Sequence, residues 1–377
     1  MDSHAYIIRA AHFLPNLPID NDQMEKVLGQ VGEKPSRARP IILRKNGIKS
    51  RYYAIDPQTR RPTHTNAQLT AEAIRRLDCE ANPPAVLACG TSSPDQTAPG
   101  HANMVHGELK TPPCEVASFS GICNAGVSAL KYAYLNVASG LASTSIASGS
   151  EVASSFMRAE NFESECSHKV AGLDANPSLA FEKDFLRWML SDGAGAVLIR
   201  NAPNESGHSL RIDWIDVISY AESNETCMYA GGEKMPDGSI RGYRDFPSDA
   251  IAERSLLAFK QDTKILDQGI LSATRRAIAS ILKQRQVDAN AVDYFLAHFS
   301  SEYFRKMLFD AMAAEFRIAP EKWFNNLSRV GNIGSASIYV MLSELFNTCA
   351  LVPGQRILCY VPESGRFSIS FLHLTVV

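Results

Sequence analysis

Short apolar runs alternate with amphipathic runs along most of this chain. Several segments have the apolar continuity or two-residue alternation of β-strands: residues 6–11, 85–89, 115–119, 143–148, 195–200, 210–220, 292–297, 356–361 and 367–377. Other segments repeat apolar residues at helical spacing: residues 20–28, 66–77, 124–139, 249–284, 301–316 and 336–346. Asp20 or Asn21 and, further on, Asn66 are candidate helix caps, and Gly29 is a candidate helix stop. Strands alternating with helices predict an α/β fold around a largely buried sheet, in which segment 115–119 is a buried strand.

The two parts of the chain repeat the same order of elements. This order predicts an internal duplication into an N-terminal half, residues 1–203, and a C-terminal half, residues 204–377. The seam at 201–207 is rich in turn-forming residues, but no residue-by-residue repeat is visible, so the duplication is predicted at the level of the fold. Two turn-rich stretches, 154–181 and 230–238, are candidate loops over a site, and insertions without a role fit them equally well.

Composition narrows the classes of protein that remain. The 377 residues are 45% hydrophobic and 21% charged, which is ordinary for a globular protein. The net charge of −2 and the absence of a basic run give no sign of nucleic-acid binding. No apolar run has membrane-spanning length, and the first residues lack the pattern of a signal peptide. The eight cysteines show no C-x-x-C spacing, so we expect reduced thiols in a soluble, cytoplasmic protein, and no metal or organic cofactor is indicated.

Cys123 lies where the predicted strand 115–119 turns directly into the predicted helix 124–139. A thiol at a helix N-terminus meets unpaired N–H groups and the positive end of the helix dipole, which favour the thiolate. The thiolate is the form that attacks a carbonyl. A small buried hydrophobic side chain is the alternative interpretation of Cys123, because free cysteines are often buried.

Two further residues complete a candidate site. His298 follows the predicted strand 292–297, and Asn332 lies in a tight turn of small residues that opens into the helix 336–346. A lone histidine at a strand end and a lone Gly-Asn turn are both usually structural. Together with Cys123, however, they can form an acyl-transfer site, with a thiol nucleophile and two donors for developing oxyanion charge.

The ordered motifs resemble a known family. Gly-Ile-Cys-Asn-Ala-Gly around Cys123, Asp-Gly-Ala-Gly-Ala from Asp192, Ala-His at His298 and Gly-Asn-Ile-Gly-Ser-Ala-Ser around Asn332 are similar to the thiolase-fold condensing enzymes, above all the β-ketoacyl-acyl-carrier-protein synthase III group. The resemblance covers nearly the whole chain. It implies thiolase-like duplicated α/β halves in a five-layered α-β-α-β-α architecture, a homodimer paired through sheet edges, and acyl-carrier-protein or coenzyme A thioesters as partners.

The resemblance also implies a role for each site residue. Cys123 would be acylated, and His298 and Asn332 would stabilise the enolate of a second thioester for a Claisen condensation. The backbone N–H of Cys123 would form one arm of the oxyanion hole. The family's glycine-rich loop near the C-terminus is replaced here by residues 361–367, in which Gly365 is the remaining glycine and would supply the second arm.

Other departures indicate an altered substrate channel. Phe299 and the serines after it stand where the family has Gln-Ala-Asn, which argues against a housekeeping fatty-acid initiator. The run 91–109 resembles the stand-alone ketosynthases of dialkylresorcinol pathways, whose products cyclise to a cyclohexanedione or a resorcinol-type ring. Arg305 and Lys306 are candidates for docking an acidic carrier protein, with solvated helix charges as the alternative.

Three functions are compatible with these residues. The first is a condensing enzyme that forms a carbon–carbon bond, and the second is an acyltransferase that passes the acyl group from Cys123 to a hydroxyl or amine. The third is a non-catalytic subunit that shapes a partner's pocket. Asn332 favours the first because an acyltransferase has no enolate to stabilise, and the presence of all three site residues counts against the third.

Overall fold

The computed structural model describes residues 4–31, 35–36, 39–79, 83–162, 186–312 and 316–377. The strands are β1 (Tyr6–Phe13), β2 (Ile19–Asp20), β3 (Ser50–Arg51), β4 (Val86–Thr91), β5 (Glu115–Ser120), β6 (Thr144–Glu151), β7 (Gly193–Arg200), β8 (Leu210–Ser219), β9 (Met228–Tyr229), β10 (Gly232–Lys234), β11 (Ile240–Gly242), β12 (Lys260–Gln261), β13 (Tyr294–Ala297), β14 (Trp323–Phe324), β15 (Arg356–Glu363) and β16 (Ser368–Val376). The α-helices are α1 (Met24–Leu28), α2 (Arg39–Asn46), α3 (Asn66–Arg75), α4 (His101–Leu109), α5 (Asn124–Ala138), α6 (Ser154–Met157), α7 (Ser248–Glu253), α8 (Thr263–Arg285), α9 (Tyr303–Ala311), α10 (Leu327–Val330) and α11 (Ser337–Thr348).

The main sheet consists of two halves with the same topology. Its order is β14-β13-β15-β16-β8-β1-β7-β6-β4-β5. Outward from the contact between β1 and β8, the first half has the order β1, β7, β6, β4, β5, and the second half has the order β8, β16, β15, β13, β14. When the five strands of each half are numbered along the chain, both orders are first, fifth, fourth, second, third. The pairing senses also repeat, with the outer two contacts of each half parallel and the inner two antiparallel. The structure therefore has the α/β architecture that the resemblance implies. The predicted boundary at 203/204 falls between β7 and β8 and stays a prediction.

Two helices lie between the halves. Helix α5 packs on β4 and β6 of the first half and also contacts β8, β15 and β16 of the second, while α11 contacts β1, β7 and β13. Helices α3 and α4 cover the outer face of the first half, and α8 packs against β15 and β16. This arrangement gives the five layers α-β-α-β-α. In the described sheet, β1 and β8 join the two halves through the residue pairs Tyr6 with Arg211 and Ile7 with Leu210.

Several local predictions need correction. Strand β5 is the edge of the sheet and its side chains are half-buried or exposed, so the prediction of a buried strand is wrong. The helix from Asn66 is capped by Thr65 in a capping box with Gln68, because Thr65 has the extended backbone that a cap needs. The predicted helical run 249–284 is divided by β12 into α7 and α8.

The predicted loops are partly ordered into elements. Residues 230–238 contain β10, which pairs antiparallel with β11 as a small hairpin. Residues 154–162 form α6 and a short 3₁₀ turn, whereas 163–181 of the same predicted loop lie outside the described residues. Among the described helices, none combines the length and apolarity needed to cross a membrane.

Candidate active site

Cys123 stands between β5 and α5, at the N-cap position of the helix. Its side chain is 8% exposed and lines a cleft. Tight packing fixes this junction, because a Cβ on Gly90 of β4 would lie 2.2 Å from the carbonyl oxygen of Ala125. Glycine at position 90 therefore lets the first turn of α5 approach the sheet closely.

His298 is brought to Cys123 from the other half of the chain. It follows β13, and its backbone N–H donates to the carbonyl of Tyr360 (2.9 Å), which extends the pairing of β13 with β15 by one bond. The ring is buried, and Nε2 lies 3.3 Å from Sγ of Cys123. The two residues are 175 positions apart in the sequence, so only the packing of the two halves creates this contact.

Asn332 is held in the same cleft by its backbone. Its N–H donates to the carbonyl of Met189 (3.0 Å), and its carbonyl accepts from the N–H of Ser191 (2.8 Å). Oδ1 accepts from the N–H of Gly334 (3.0 Å). This bond fixes the orientation of the amide, whose donor group is Nδ2. The preceding residue, Gly331, has φ +74°, a conformation that favours glycine.

The three side chains line one cleft. Beyond them its described walls are mostly apolar. They come from the segment after residue 185, from β9, from the residue before β12, from α8, from the segment after β13 and from α9. The apolar residues of these walls are Leu186, Met189, Leu190, Met228, Phe259, Leu266, Ile270, Leu271, Phe299, Phe304 and Leu308. Such a lining suits an alkyl chain next to a reactive thiol.

Burial determines the protonation of the reactive pair. Desolvation lowers the pKa of His298 to about 4, so the imidazole is neutral at physiological pH. Desolvation also raises the pKa of Cys123 well above its ordinary value, and the carboxylates of Glu363 and Glu151 raise it further. The sequence-based expectation that the helix N-terminus favours the thiolate is therefore wrong for this resting state. The pair consists of a thiol beside a neutral imidazole.

Glu151 is a cleft residue that the sequence interpretation missed. It ends β6, is fully buried, and accepts hydrogen bonds from the hydroxyls of Ser92 (2.6 Å), Ser93 (2.7 Å) and Ser335 (2.7 Å). Ser335 belongs to the turn that carries Asn332, so Glu151 connects this turn to the first half. A charged residue at the end of an otherwise uncharged strand of mostly small residues was the available signal.

Gly365 lies beside the Cys123 junction. A Cβ on Gly365 would be 3.1 Å from Cγ1 of Ile122, the residue before Cys123. Its carbonyl accepts from the N–H of Cys227 (2.8 Å), which ties the loop after β15 to the segment before β9. Its role as the second arm of the oxyanion hole stays a prediction.

Arg305 and Lys306 lie on α9 at the protein surface, away from the reactive pair. They line a shallow groove with Glu302, Phe309, Pro320 and Trp323. The guanidinium of Arg305 lies 5.7 Å from the ring centroid of Trp323, and Lys306 is largely exposed and pairs with Asp310. The structure therefore places both cations in one surface groove. Whether a carrier protein binds there stays a prediction.

Comparisons with known proteins agree with the motifs. Residues 282–365, which include His298 and Asn332, match the family model described as 3-oxoacyl-[acyl-carrier-protein (ACP)] synthase III C terminal. The chain is 23% identical to the β-ketoacyl-[acyl-carrier-protein] synthase III of Streptococcus suis over 349 residues, which cover 91% of this chain and 90% of that protein.

Solved structures share the fold. AbyA1, a tetronic acid condensing enzyme, is 19% identical with a TM-score of 0.75, and the match covers 98% of this chain and 99% of AbyA1. OleA from Xanthomonas campestris, in a structure with bound lauric acid and lauroyl-CoA, is 18% identical with a TM-score of 0.71 and full coverage of both chains, 100% each. The resemblance to the synthase III group and the thiolase-like fold are thereby confirmed.

Proposed function

We propose that this chain, a β-ketoacyl-acyl-carrier-protein synthase III-like condensing enzyme with a thiolase-like fold, is acylated on Cys123 and then joins that acyl group to a second acyl thioester. The observation that carries the proposal is the contact between Nε2 of His298 and Sγ of Cys123 (3.3 Å), in the cleft that Asn332 also lines. A nucleophile, a base and a carboxamide donor around one cavity form the minimal set for this chemistry.

In the acylation step, Sγ of Cys123 attacks the carbonyl carbon of the first thioester. The S–H proton passes to Nε2 of His298, which is neutral because of its burial and can accept it. The carbonyl oxygen becomes an oxyanion, for which the N–H groups of Cys123 and Gly365 are the proposed donors. When the tetrahedral intermediate collapses, the carrier thiolate leaves with the proton from His298, and the acyl group remains on Cys123.

In the condensation step, the α-C–H bond of the second thioester breaks. Its proton passes to Nε2 of His298 and later returns to the sulfur of Cys123, while the electron pair forms an enolate next to the acyl-enzyme. His298 and Asn332 donate to its oxygen, and its α-carbon attacks the acyl carbonyl on Cys123. The new carbon–carbon bond forms while the C–S bond of the acyl-enzyme breaks, which returns the sulfur of Cys123. Asn332 favours this reaction over acyl transfer to a hydroxyl or amine, because an acyltransferase has no enolate for a carboxamide donor to stabilise.

The substrates that we propose are acyl thioesters with apolar chains. The apolar wall of the cleft supports this choice, and OleA, a protein of the same fold, holds lauric acid and lauroyl-CoA. We further propose that one of the two acyl units is a β-ketoacyl thioester and that the product closes to a cyclohexanedione or resorcinol-type ring. The run 91–109 supports this narrower function, and AbyA1 is another condensing enzyme of this fold outside fatty-acid initiation.

The proposed partners are an acyl carrier protein and a second copy of the chain. An acidic carrier protein would dock at the groove that holds Arg305 and Lys306, where Lys306 is largely exposed. A second copy would pair through β5, which is a half-exposed edge strand with β4 as its neighbour in the described sheet. Unpaired edge strands readily accept another strand.

The direct test is intact mass spectrometry after incubation with acyl-coenzyme A and acyl-carrier-protein thioesters of graded chain length. Wild type and Cys79→Ala, a control at a half-buried cysteine on the far side of β1, should gain the mass of one acyl group, and Cys123→Ala should not. A loaded Cys123→Ala would show that the nucleophile is misassigned. No gain by wild type with any donor would contradict the proposed function.

A further inference from the structure

Glu363 carries a carboxylate that the proposed chemistry does not use. It ends β15 in the loop that replaces the family's glycine-rich segment. Its carboxylate oxygen Oε2 accepts a hydrogen bond of 3.3 Å from the backbone N–H of Asn124. The first N–H group of α5, directly after Cys123, is therefore bound to an acid.

Packing holds this carboxylate in place. A Cβ on Gly365 would lie 2.8 Å from Oε1 of Glu363, and a Cβ on Gly121 would lie 3.8 Å from Oε2. Ser368 accepts from Nδ2 of Asn124 (2.7 Å), the first residue of α5. The glycine at position 365 thus leaves space that the carboxylate fills, and Asn124 bonds to both Glu363 and Ser368.

The position of Glu363 reverses the usual effect of a helix start. Free N–H groups and the helix dipole at an N-terminus stabilise a nearby thiolate. Here the acid occupies the first of those N–H groups, and its negative charge opposes a second negative charge on Sγ. Glu363 thereby weakens the feature from which thiolate activation would be expected.

We propose that Glu363 is a positioning residue that keeps Cys123 protonated at rest, so that the nucleophile forms only as His298 takes the proton. It acts through the backbone and the charge around Cys123 rather than by touching substrate. The reactive thiolate is then absent until a thioester is in place for attack, which protects the cysteine from alkylation and oxidation.

Other described groups also face Cys123 from the elements packed around it. His298 faces it from the end of β13, Glu151 from the end of β6, and Asn332, which is uncharged, from the turn before α11. Glu151 also raises the pKa of Cys123, but less than Glu363, after the larger effect of burial. Glu151 is bound by three serine hydroxyls, whereas Glu363 is bound to the start of α5 itself.

The inference rests on the proposed function only in taking Cys123 as the acylated residue. Its test measures the free thiol and needs no acyl donor, so the inference and the proposed function can fail separately. The test is the rate of Cys123 alkylation by iodoacetamide as a function of pH, with tandem mass spectrometry to distinguish Cys123 from Cys114. Wild type is compared with Glu363→Gln, which keeps an oxygen acceptor without the charge, and with Glu72→Gln, a control at an exposed ion pair on α3.

We expect the midpoint of the wild-type profile to lie above that of an ordinary cysteine. In Glu363→Gln it should move down by about one pH unit, equivalent to about tenfold faster alkylation below the midpoint, while Glu72→Gln matches wild type. An unchanged midpoint in a folded Glu363→Gln protein would overturn the proposal. If that variant does not fold, wild type decides alone: a Cys123 midpoint at or below the ordinary cysteine value overturns the proposal.

Discussion

The hydroxyl of Tyr339 donates a 2.8 Å hydrogen bond to the carbonyl of Gly126. This bond joins α11 to α5, the two helices that lie between the halves of the sheet. Gly126 is three residues after Cys123, and Tyr339 is seven residues after Asn332. The contact therefore determines how far the nucleophile lies from the turn that carries the proposed enolate donor.

A methyl group added to Gly126 at this contact should destabilise the fold. A Cβ at position 126 would lie 2.3 Å from the carbonyl oxygen of Ser335 and 3.1 Å from the ring of Tyr339. Because a backbone atom cannot move aside easily, we expect Gly126→Ala to lower the free energy of unfolding by at least about 1–3 kcal/mol. Urea denaturation measures the change.

Gly107 provides the matched control for that substitution. It lies inside α4, and a Cβ there would meet nothing within 4 Å. We expect Gly107→Ala to stabilise the fold by about 0.5–1 kcal/mol, because alanine loses less conformational entropy than glycine in a helix. Equal effects of the two substitutions would contradict the close packing of α5 on α11.

Asn332→Ala should separate the two steps of the reaction. We expect acyl loading of Cys123 at close to the wild-type rate and condensation slower by about 10²–10³-fold, since one oxyanion donor is removed. Asn290→Ala, at an exposed asparagine, is the control. Loading is measured by quenched mass spectrometry and condensation by product formation. A variant that condenses at the full rate would show that the enolate site lies elsewhere.

His298→Ala should affect both steps, because the imidazole contacts the thiol and the proposed enolate. We expect loading to persist at a reduced rate and condensation to fall by about 10²–10⁴-fold. The same two assays give the rates. Loading as fast as in wild type would show that His298 does not take the proton from Cys123.

The buried imidazole also makes stability depend on pH. The pKa of His298 is lowered to about 4 by burial, against an ordinary value of 6.5. Between these values the unfolded chain binds a proton that the folded chain does not. The free energy of unfolding contributed by the neutral imidazole is therefore complete above pH 6.5 and is lost as the pH falls towards 4. In urea titrations, the stability of wild type relative to His298→Asn should decline over this range by about 3 kcal/mol at most.

Asp192 provides a control in which stability changes with pH in the opposite direction. Burial raises its pKa to about 7, against an ordinary value of 3.8. The folded chain therefore holds a proton that the unfolded chain has lost, and stability from this group declines as the pH rises from about 4 to about 7. Relative to Asp192→Asn, wild type should lose stability with rising pH. A pH-independent difference for both variants would contradict the assigned burial effects.

The exposed edge at β5 predicts a dimer. In sedimentation at micromolar concentration we expect a particle of twice the mass of one chain, because Val116, Ala117 and Phe119 are only half-buried in one copy. A dilution series checks that the association is reversible. A monomer at micromolar concentration would contradict pairing through this strand.

The motifs around Cys123, His298 and Asn332 were sufficient to predict which residues meet. Each lies at the end of a strand or the start of a helix, where short-range sequence signals are strong. The same local signals misassigned the cap of α3, because Thr65 and Asn66 are both good caps and the backbone conformation decides between them.

Long-range arrangement was harder to predict. Residues 115–119 have the composition of a buried strand, and their place at the sheet edge depends on strand order, which no local pattern encodes. Glu363 was visible only as a departure from a glycine-rich loop. Its contact with the start of α5 requires the pairing of β15 inside the second half and the packing of both halves on α5.

The repeated strand order has a consequence for how the chain could be divided. Cys123 comes from one half, and His298 and Asn332 come from the other, while the main chain passes between the halves once, through the turn-rich residues 201–207. Two separately expressed pieces cut in this turn would each carry part of the chemistry and none of the activity. Mixing them should restore acylation and condensation together, so the enzyme is a natural candidate for a split reporter.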